Sequence, residues 1–240
     1  QRQMCIRDKL DKQGNITEYK FAKTVIRSRV KGVYSEINSL LAGSDDAELK
    51  EKYAEVSGQL PIIKELADIL YKNKKNRGCP ELETSESKLI INDEDICVGV
   101  ERRTRGRSEE IIEDFMLVAN ECAARFGMDN NLPFVYRIHE EPSDEKLESL
   151  REALVKLNVQ YKLGEKACPG DMSEILKAAK GTDIDLIMNN IVLRSMSKAR
   201  YSTEPVGHFG LALEDYAHFT SPIRRYPDLT IHRIMSAFLS

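Results

Sequence analysis

The chain has 240 residues, 41% hydrophobic and 31% charged, with a formal net charge of −3 at pH 7. That length suits one large domain or two small ones, and no apolar run reaches the roughly 18 residues a membrane-spanning helix needs. The net charge excludes a surface that is basic throughout but not a local basic channel, because field focusing depends on arrangement.

Residues 4–10 and 15–28 read as two strands joined at the turn-rich Asp11-Lys12-Gln13-Gly14. A helix is predicted from Tyr34 to Leu41, ending at Gly43. Over 46–75, Leu49, Tyr53, Val56, Leu60, Ile63, Leu66 and Leu70 recur at three or four residues, giving an amphipathic helix interrupted or kinked at Gly58 and Pro61. Lys88–Asn92 and Ile96–Glu101 flank Asp93-Glu94-Asp95 as a hairpin. The strongest helix pattern covers 108–127, opening at Ser108 and stopping at Gly127, with a stripe of Ile112, Phe115, Met116, Ala119, Cys122 and Ala123. A short strand is predicted at Phe134–His139, then helices from Pro142 through Leu157, over 171–180 and over 184–198. Residues 201–227, rich in Gly, Pro, Ser and aromatics, read as a functional loop before a last helix. With no repeat and no linker, one α+β domain is expected.

The five cysteines, Cys5, Cys79, Cys97, Cys122 and Cys168, are scattered and form no CxxC pair. Neither a disulfide framework nor a zinc site is indicated, and a reducing cytoplasm is the expected compartment. A strand pattern begins almost at once, at Met4-Cys5-Ile6, and the helical pattern Leu229, Ile231, Ile234-Met235, Phe238 is still running at Ser240. The chain therefore reads as part of something longer.

Chemistry concentrates in His218-Phe219-Thr220-Ser221-Pro222-Ile223-Arg224-Arg225-Tyr226-Pro227-Asp228, followed by His232-Arg233. Two prolines stiffen the backbone that presents Arg224 and Arg225. Guanidinium forks match phosphate oxygens, while Phe219 and Tyr226 offer faces for base stacking, worth about 1–3 kcal/mol each. Cations interleaved with aromatics suit a single-stranded nucleic-acid channel. The competing reading is a structural network in which Asp228 and Glu214 pair with the arginines. His139 and His232 read as structural or packing residues, and Tyr34 as a helix anchor.

Gly207-His208-Phe209-Gly210-Leu211-Ala212, Tyr216 and the run from His218 to Arg233 resemble the signature of the ribonuclease R and ribonuclease II (RNB) family. The resemblance extends upstream through Ile112-Glu113-Asp114-Phe115-Met116 with Ala119-Asn120, Leu132-Pro133-Phe134-Val135-Tyr136-Arg137-Ile138-His139, and Ala199-Arg200-Tyr201. It implies an α+β fold, with residues 1–240 the C-terminal portion of a catalytic domain. The function implied is 3′-to-5′ hydrolytic exoribonuclease action on single-stranded RNA, releasing nucleoside 5′-monophosphates with Mg²⁺ as cofactor. Arg224 would meet the scissile phosphate as the catalytic arginine. Arg225, His218, Tyr226, Phe219 and His208 would line the substrate channel, and Glu113 would touch the terminal sugar or brace the site from the central helix.

The family's closely spaced aspartate cluster has no match here. Ser44-Asp45-Asp46-Ala47 and Asn92-Asp93-Glu94-Asp95 carry carboxylates in the wrong contexts, a helix start and a hairpin turn. No metal ligand is therefore expected within the chain, and the fragment alone is expected to be inactive. The cluster and the family's flanking small β-barrel RNA-binding domains would lie elsewhere in the parent. Cys79-Pro80-Glu81-Leu82 also departs from relatives that carry an aromatic near this point. The alternative function is a catalytically silent RNA-binding or scaffold homologue. No membrane association and no obligate protein partner is expected.

Overall fold

A computed structural model of the chain describes residues 2–82, 86–103 and 105–240. The first strands, β1 (Arg2–Leu10) and β2 (Ile16–Val25), pair antiparallel. Asp11 organises their turn by accepting the backbone N–H groups of Gln13 and Asn15, and Gly14 supplies the positive φ of +83°.

Helix α1 (Tyr34–Leu41) forms where the pattern places it. The long amphipathic pattern is interrupted at Gly58, as expected. It divides into α2 (Ala47–Lys52), a 3-10 turn at Ser57–Gln59, and α3 (Leu60–Asn76). Pro61 lies in the first turn of α3 rather than at a kink, since that turn has no use for the N–H that proline lacks.

Hairpin β3 (Glu86–Ile91) and β4 (Cys97–Arg103) follows, with Leu89, Ile91, Val98 and Val100 exposed. The central helix α4 runs from Arg107 to Asp129. Its N-cap is Gly106 rather than Ser108, whose N–H donates to Asn38 Oδ1 at 2.8 Å. Nor does α4 stop at Gly127, which is a packing residue. A Cβ there would lie 2.4 Å from the Phe134 ring. The buried face of α4 also differs from the apolar stripe. Ile111, Asp114, Asn120, Ala123, Ala124 and Gly127 are buried, while Ile112 is exposed. Three polar side chains, Ser108, Asp114 and Asn120, face inward, so counting apolar residues rotates the face away from its true position.

Strand β5 (Tyr136–Ile138), α5 (Asp144–Lys156), α6 (Pro169–Ala179), α7 (Asp185–Ser195), β6 (Arg200–Ser202) and α8 (Tyr226–Phe238) complete the fold. The stretch expected to be loop contains β6 and a 3-10 turn at Phe209–Leu211. All three strand pairs among the described residues are antiparallel.

Two apolar cores result. One joins α5, α6 and α7 through Leu150, Met172, Ile175, Met188 and Val192, and includes Phe209. The other joins the first hairpin, α4, β5 and α8 through Phe21, Ala123, Phe134, Ile138 and Met235, and includes Ala217 and Phe219. The segment 207–219 is thus tied into both cores, which holds the motif that follows it.

Candidate functional site

The site is assembled around β5. On one side β5 pairs with β6, with Arg137 opposite Tyr201. On the other, Arg137 N–H donates to Tyr216 O at 3.0 Å, His139 N–H to Gly207 O at 3.0 Å, and Phe209 N–H to His139 O at 2.8 Å.

Asn120, buried on α4, fastens the next stretch. Its Oδ1 accepts Phe219 N–H at 2.9 Å and Thr220 N–H at 3.2 Å, and its Nδ2 donates to the Tyr216 hydroxyl at 3.2 Å. The turn beyond is closed from α8 by Asp228, which is fully buried. One oxygen, Oδ1, accepts Ser221 N–H at 2.8 Å, Arg225 Nη2–H at 2.9 Å and Arg225 Nε–H at 3.2 Å.

The expected network is therefore half present. Asp228 takes Arg225, and Glu214 forms no ion pair with either arginine among the described residues. Arg224 is exposed and has no carboxylate within ion-pair reach among the described residues. It stands at the tip of the loop beside Ile223, which is fully exposed, and Tyr226, which is 72% exposed.

His218 lies at the loop's start, its Nδ1 2.8 Å from the Tyr201 hydroxyl. Burial, then the charges of Arg225, Arg137 and Arg224, pull its pKa down to about 4, against a partial counter-effect of Asp228. The ring is neutral at pH 7. His208 packs edge-on against His139 (5.0 Å between ring centres) and Tyr216 (5.2 Å). Burial, reinforced by His139, lowers its pKa to about 3.

Phe219 does not present a stacking face, contrary to the sequence expectation. It is 4% exposed, stacked on His232 at 4.3 Å and edge-on to Phe21 at 5.3 Å. Both loop aromatics look alike in sequence; core packing, worth about 1.5–3 kcal/mol for a phenylalanine, takes Phe219 and leaves Tyr226 outside.

Glu113 is exposed on α4, 3.2 Å from Arg105 Nη1 and 3.9 Å from Lys74 Nζ. It lines a hollow of about 420 Å³ with Lys74, Cys79, Arg105, Asp114 and Gly210. Gly210 is the link to the motif segment. Residues 218–226 do not line this hollow. Burial raises the Asp114 carboxyl, with Lys74 Nζ 3.6 Å away as its counter-charge.

Among the described residues no donor set suits Mg²⁺, which wants six oxygens in a tight octahedron. Asp46 caps α2 through Glu48 N–H and Leu49 N–H, and Asp45 pairs with Lys50 at 2.7 Å. Asn92 Oδ1 organises the second hairpin's turn by accepting Glu94 N–H and Ile96 N–H. Among the described residues, no three His, Cys, Asp or Glu side chains gather where a cation could be held.

Asn120 and Asp228 hold the site without belonging to its expected residues. Each is a polar residue on a buried helical stripe, Asn120 with Ala123, Ala124 and Gly127, and Asp228 with Ile231 and Met235. A buried polar group must be satisfied, so it marks a tether.

The family model of the RNB domain matches residues 2–240. The chain belongs to the RNB domain family. It is 38% identical over 237 residues to Ribonuclease R 1 of Lactococcus lactis, spanning 97% of this chain and 28% of that protein. The RNB fold is equally clear in solved structures. RNase R of Mycoplasma genitalium, in complex with ribose-methylated single-stranded RNA, superposes with a TM-score of 0.90 at 29% identity, covering all of this chain and 37% of that one. Yeast Ssd1, a pseudonuclease, superposes at 0.71 with 19% identity over 98% of this chain and 29% of that one, a likeness of fold alone. This RNB chain spans about a third of the length of such relatives.

Proposed function

We propose that the protein carrying this chain is a 3′-to-5′ hydrolytic exoribonuclease that degrades single-stranded RNA to nucleoside 5′-monophosphates. Residues 1–240 form the C-terminal portion of its catalytic domain. The supporting observation is the unequal fate of the two adjacent arginines. Arg225 is committed inward to Asp228, and Arg224 is held outward with no counter-charge among the described residues, on a loop pinned at both ends.

A guanidinium placed this way meets two non-bridging phosphate oxygens without rearranging, and stabilises the negative charge that grows as water attacks phosphorus. In the tautomer whose Nδ1 accepts from the Tyr201 hydroxyl, the neutral His218 ring offers Nε2–H as a second donor for the RNA backbone. Tyr226 offers an exposed ring for a base. Arg225, His208 and Phe219 act by holding these groups in place. Glu113, in its own hollow, would meet the terminal sugar.

The Mg²⁺ implied by the family would activate the attacking water; its ligands are assigned to parts of the parent outside this chain. The expected compartment is the cytoplasm, in keeping with free Cys5, Cys79, Cys97, Cys122 and Cys168. Among the described residues no helix is long and apolar enough to cross a membrane.

The test is Arg224→Ala in the full-length parent, assayed on end-labelled single-stranded RNA with Mg²⁺. Turnover should fall about 10²-fold or more while RNA binding weakens only modestly. Unchanged turnover would remove Arg224 from the chemistry. RNA binding without mononucleotide release by the unaltered parent would point to the silent RNA-binding homologue.

A further inference from the structure

Arg137 is not among the channel residues that the motif singles out, yet its surroundings resemble those of Arg224. β5 and β6 set it directly opposite Tyr201. Its guanidinium carbon lies 5.0 Å from the centre of the Tyr201 ring, and among the described residues no carboxylate is within ion-pair reach of it. Glu140, an acid beside this ribbon, is taken by the neighbouring Arg200 at 3.0 Å. The Arg137 cation is thus oriented by an aromatic face without being neutralised.

Its support is in turn fixed to the motif. The Tyr201 hydroxyl is 2.8 Å from His218 Nδ1, and the two rings meet edge-on at 5.7 Å. The backbone of Arg137 is bound to Tyr216 O at 3.0 Å, two residues before His218. Arg137, Tyr201 and His218 therefore form one rigid unit at the start of the loop whose tip carries Arg224. Asp228 offsets the charge of Arg225; among the described residues no carboxylate offsets Arg137 or Arg224. A cation stacked on a tyrosine keeps its edge N–H donors free, and the planar fork matches a phosphate rather than a base edge buried in a duplex.

We propose that Arg137 is a second phosphate-binding residue of the RNA path, holding a backbone phosphate other than the one at Arg224, with Tyr201 as its positioning residue. This rests on the reading of the protein as one that acts on single-stranded RNA. Its role is to fix the strand's register, so it contributes to affinity on unrelated sequences alike.

The test is a salt titration of binding to two unrelated fluorescent single-stranded RNAs by the full-length parent and its R137Q, R137K, Y201L and R224A variants, with thermal melting of each. R137Q should weaken binding on the order of tenfold and lower the log–log salt slope by about 0.7, the share of one phosphate on a single strand. R137K should keep the slope but bind more weakly, because a point ammonium lacks the fork. Y201L should also bind more weakly with its slope kept, since the charge remains but its plate is gone. A purely structural role for Arg137 would lower melting temperatures and leave the R137Q, R137K and Y201L slopes at the parental value. If R137Q melts too early to titrate, R137K and Y201L decide the matter: parental affinity in both overturns the proposal. Should R224A lose slope while R137Q keeps it, Arg137 is no phosphate ligand although the protein binds RNA. A parent that binds neither RNA at low salt overturns the RNA reading, and this inference with it.

Discussion

Asp228 and Arg225, three residues apart at the start of α8, are joined at 2.9 Å, with the carboxylate fully buried and the guanidinium partly so. The same carboxylate oxygen accepts Ser221 N–H at 2.8 Å. One side chain thus closes the turn 221–228 and consumes one of two neighbouring arginines, so the loop can present only Arg224. Breaking a buried pair leaves an uncompensated charge, which gives the first prediction its size.

Arg225→Ala should destabilise the fold by on the order of 3 kcal/mol. Arg224→Ala, at an exposed site without a partner, should stay within about 0.5 kcal/mol of the parent. Chemical denaturation of both variants checks this. Equal losses would mean that the two arginines share one structural network.

Asn120→Ala should leave the N–H groups of Phe219 and Thr220 without their acceptor, at about 1–3 kcal/mol for each group that stays buried and unpaired. Hydrogen exchange is the sensitive readout. Protection should be lost at 219–220 first, with the α5–α7 core unaffected. Uniform loss across the chain would contradict a local tether.

Gly127→Ala should destabilise although alanine is the better helix former by about 1 kcal/mol. The added Cβ would stand 2.4 Å from Phe134 Cδ2, inside the second core, and such overpacking costs about 1–3 kcal/mol. A raised melting temperature in the variant would show that Phe134 can move aside freely.

Acid should weaken the fold through its histidines. His208 and His218 have pKa values lowered from 6.5 to about 3 and about 4, and burial lowers that of His139 as well. Below pH 6.5 the unfolded chain takes up protons that the folded chain refuses, so stability falls as pH drops toward 4, by at most about 1.4 kcal/mol per pH unit for each group. Asp114, Glu121 and Asp215, whose burial raises their pKa values, oppose this trend because folded carboxyls bind protons more readily. A difference experiment isolates the histidine. Between pH 6.5 and 4 the melting temperature of His208→Phe should fall less steeply than the parent's. Parallel curves would show that His208 is not buried in its neutral form.

The 240-residue chain alone, given Mg²⁺ and labelled single-stranded RNA, should release no mononucleotides. Asp46 caps α2 and Asp45 and Asp114 face ammonium groups, and among the described residues no three His, Cys, Asp or Glu side chains gather where a cation could be held. Exonucleolytic laddering from a clean preparation would place a metal site within the chain.

The sequence by itself determined the elements whose periodicity or turn chemistry is local: the first hairpin around Asp11 and Gly14, α1, the long α4 and the strand at β5. It also determined the family, because the run from His218 to Arg233 is specific as a string of residue types. Only the tertiary structure decided which member of each similar pair faces outward. Phe219 and Tyr226 are both aromatic, and Arg224 and Arg225 are both arginines; nothing local separates them. His232 and Phe21, far apart in sequence, enclose Phe219, and Asp228 on the buried stripe of α8 claims Arg225. Orientation follows from where core volume and buried acceptors lie: Phe21 comes from the distant first hairpin, and Asp228, only three residues from Arg225, is an inward acceptor because α8 packs that stripe into the interior. Arg137 over Tyr201 is the same case: two residues 64 positions apart meet because β5 and β6 pair in one register.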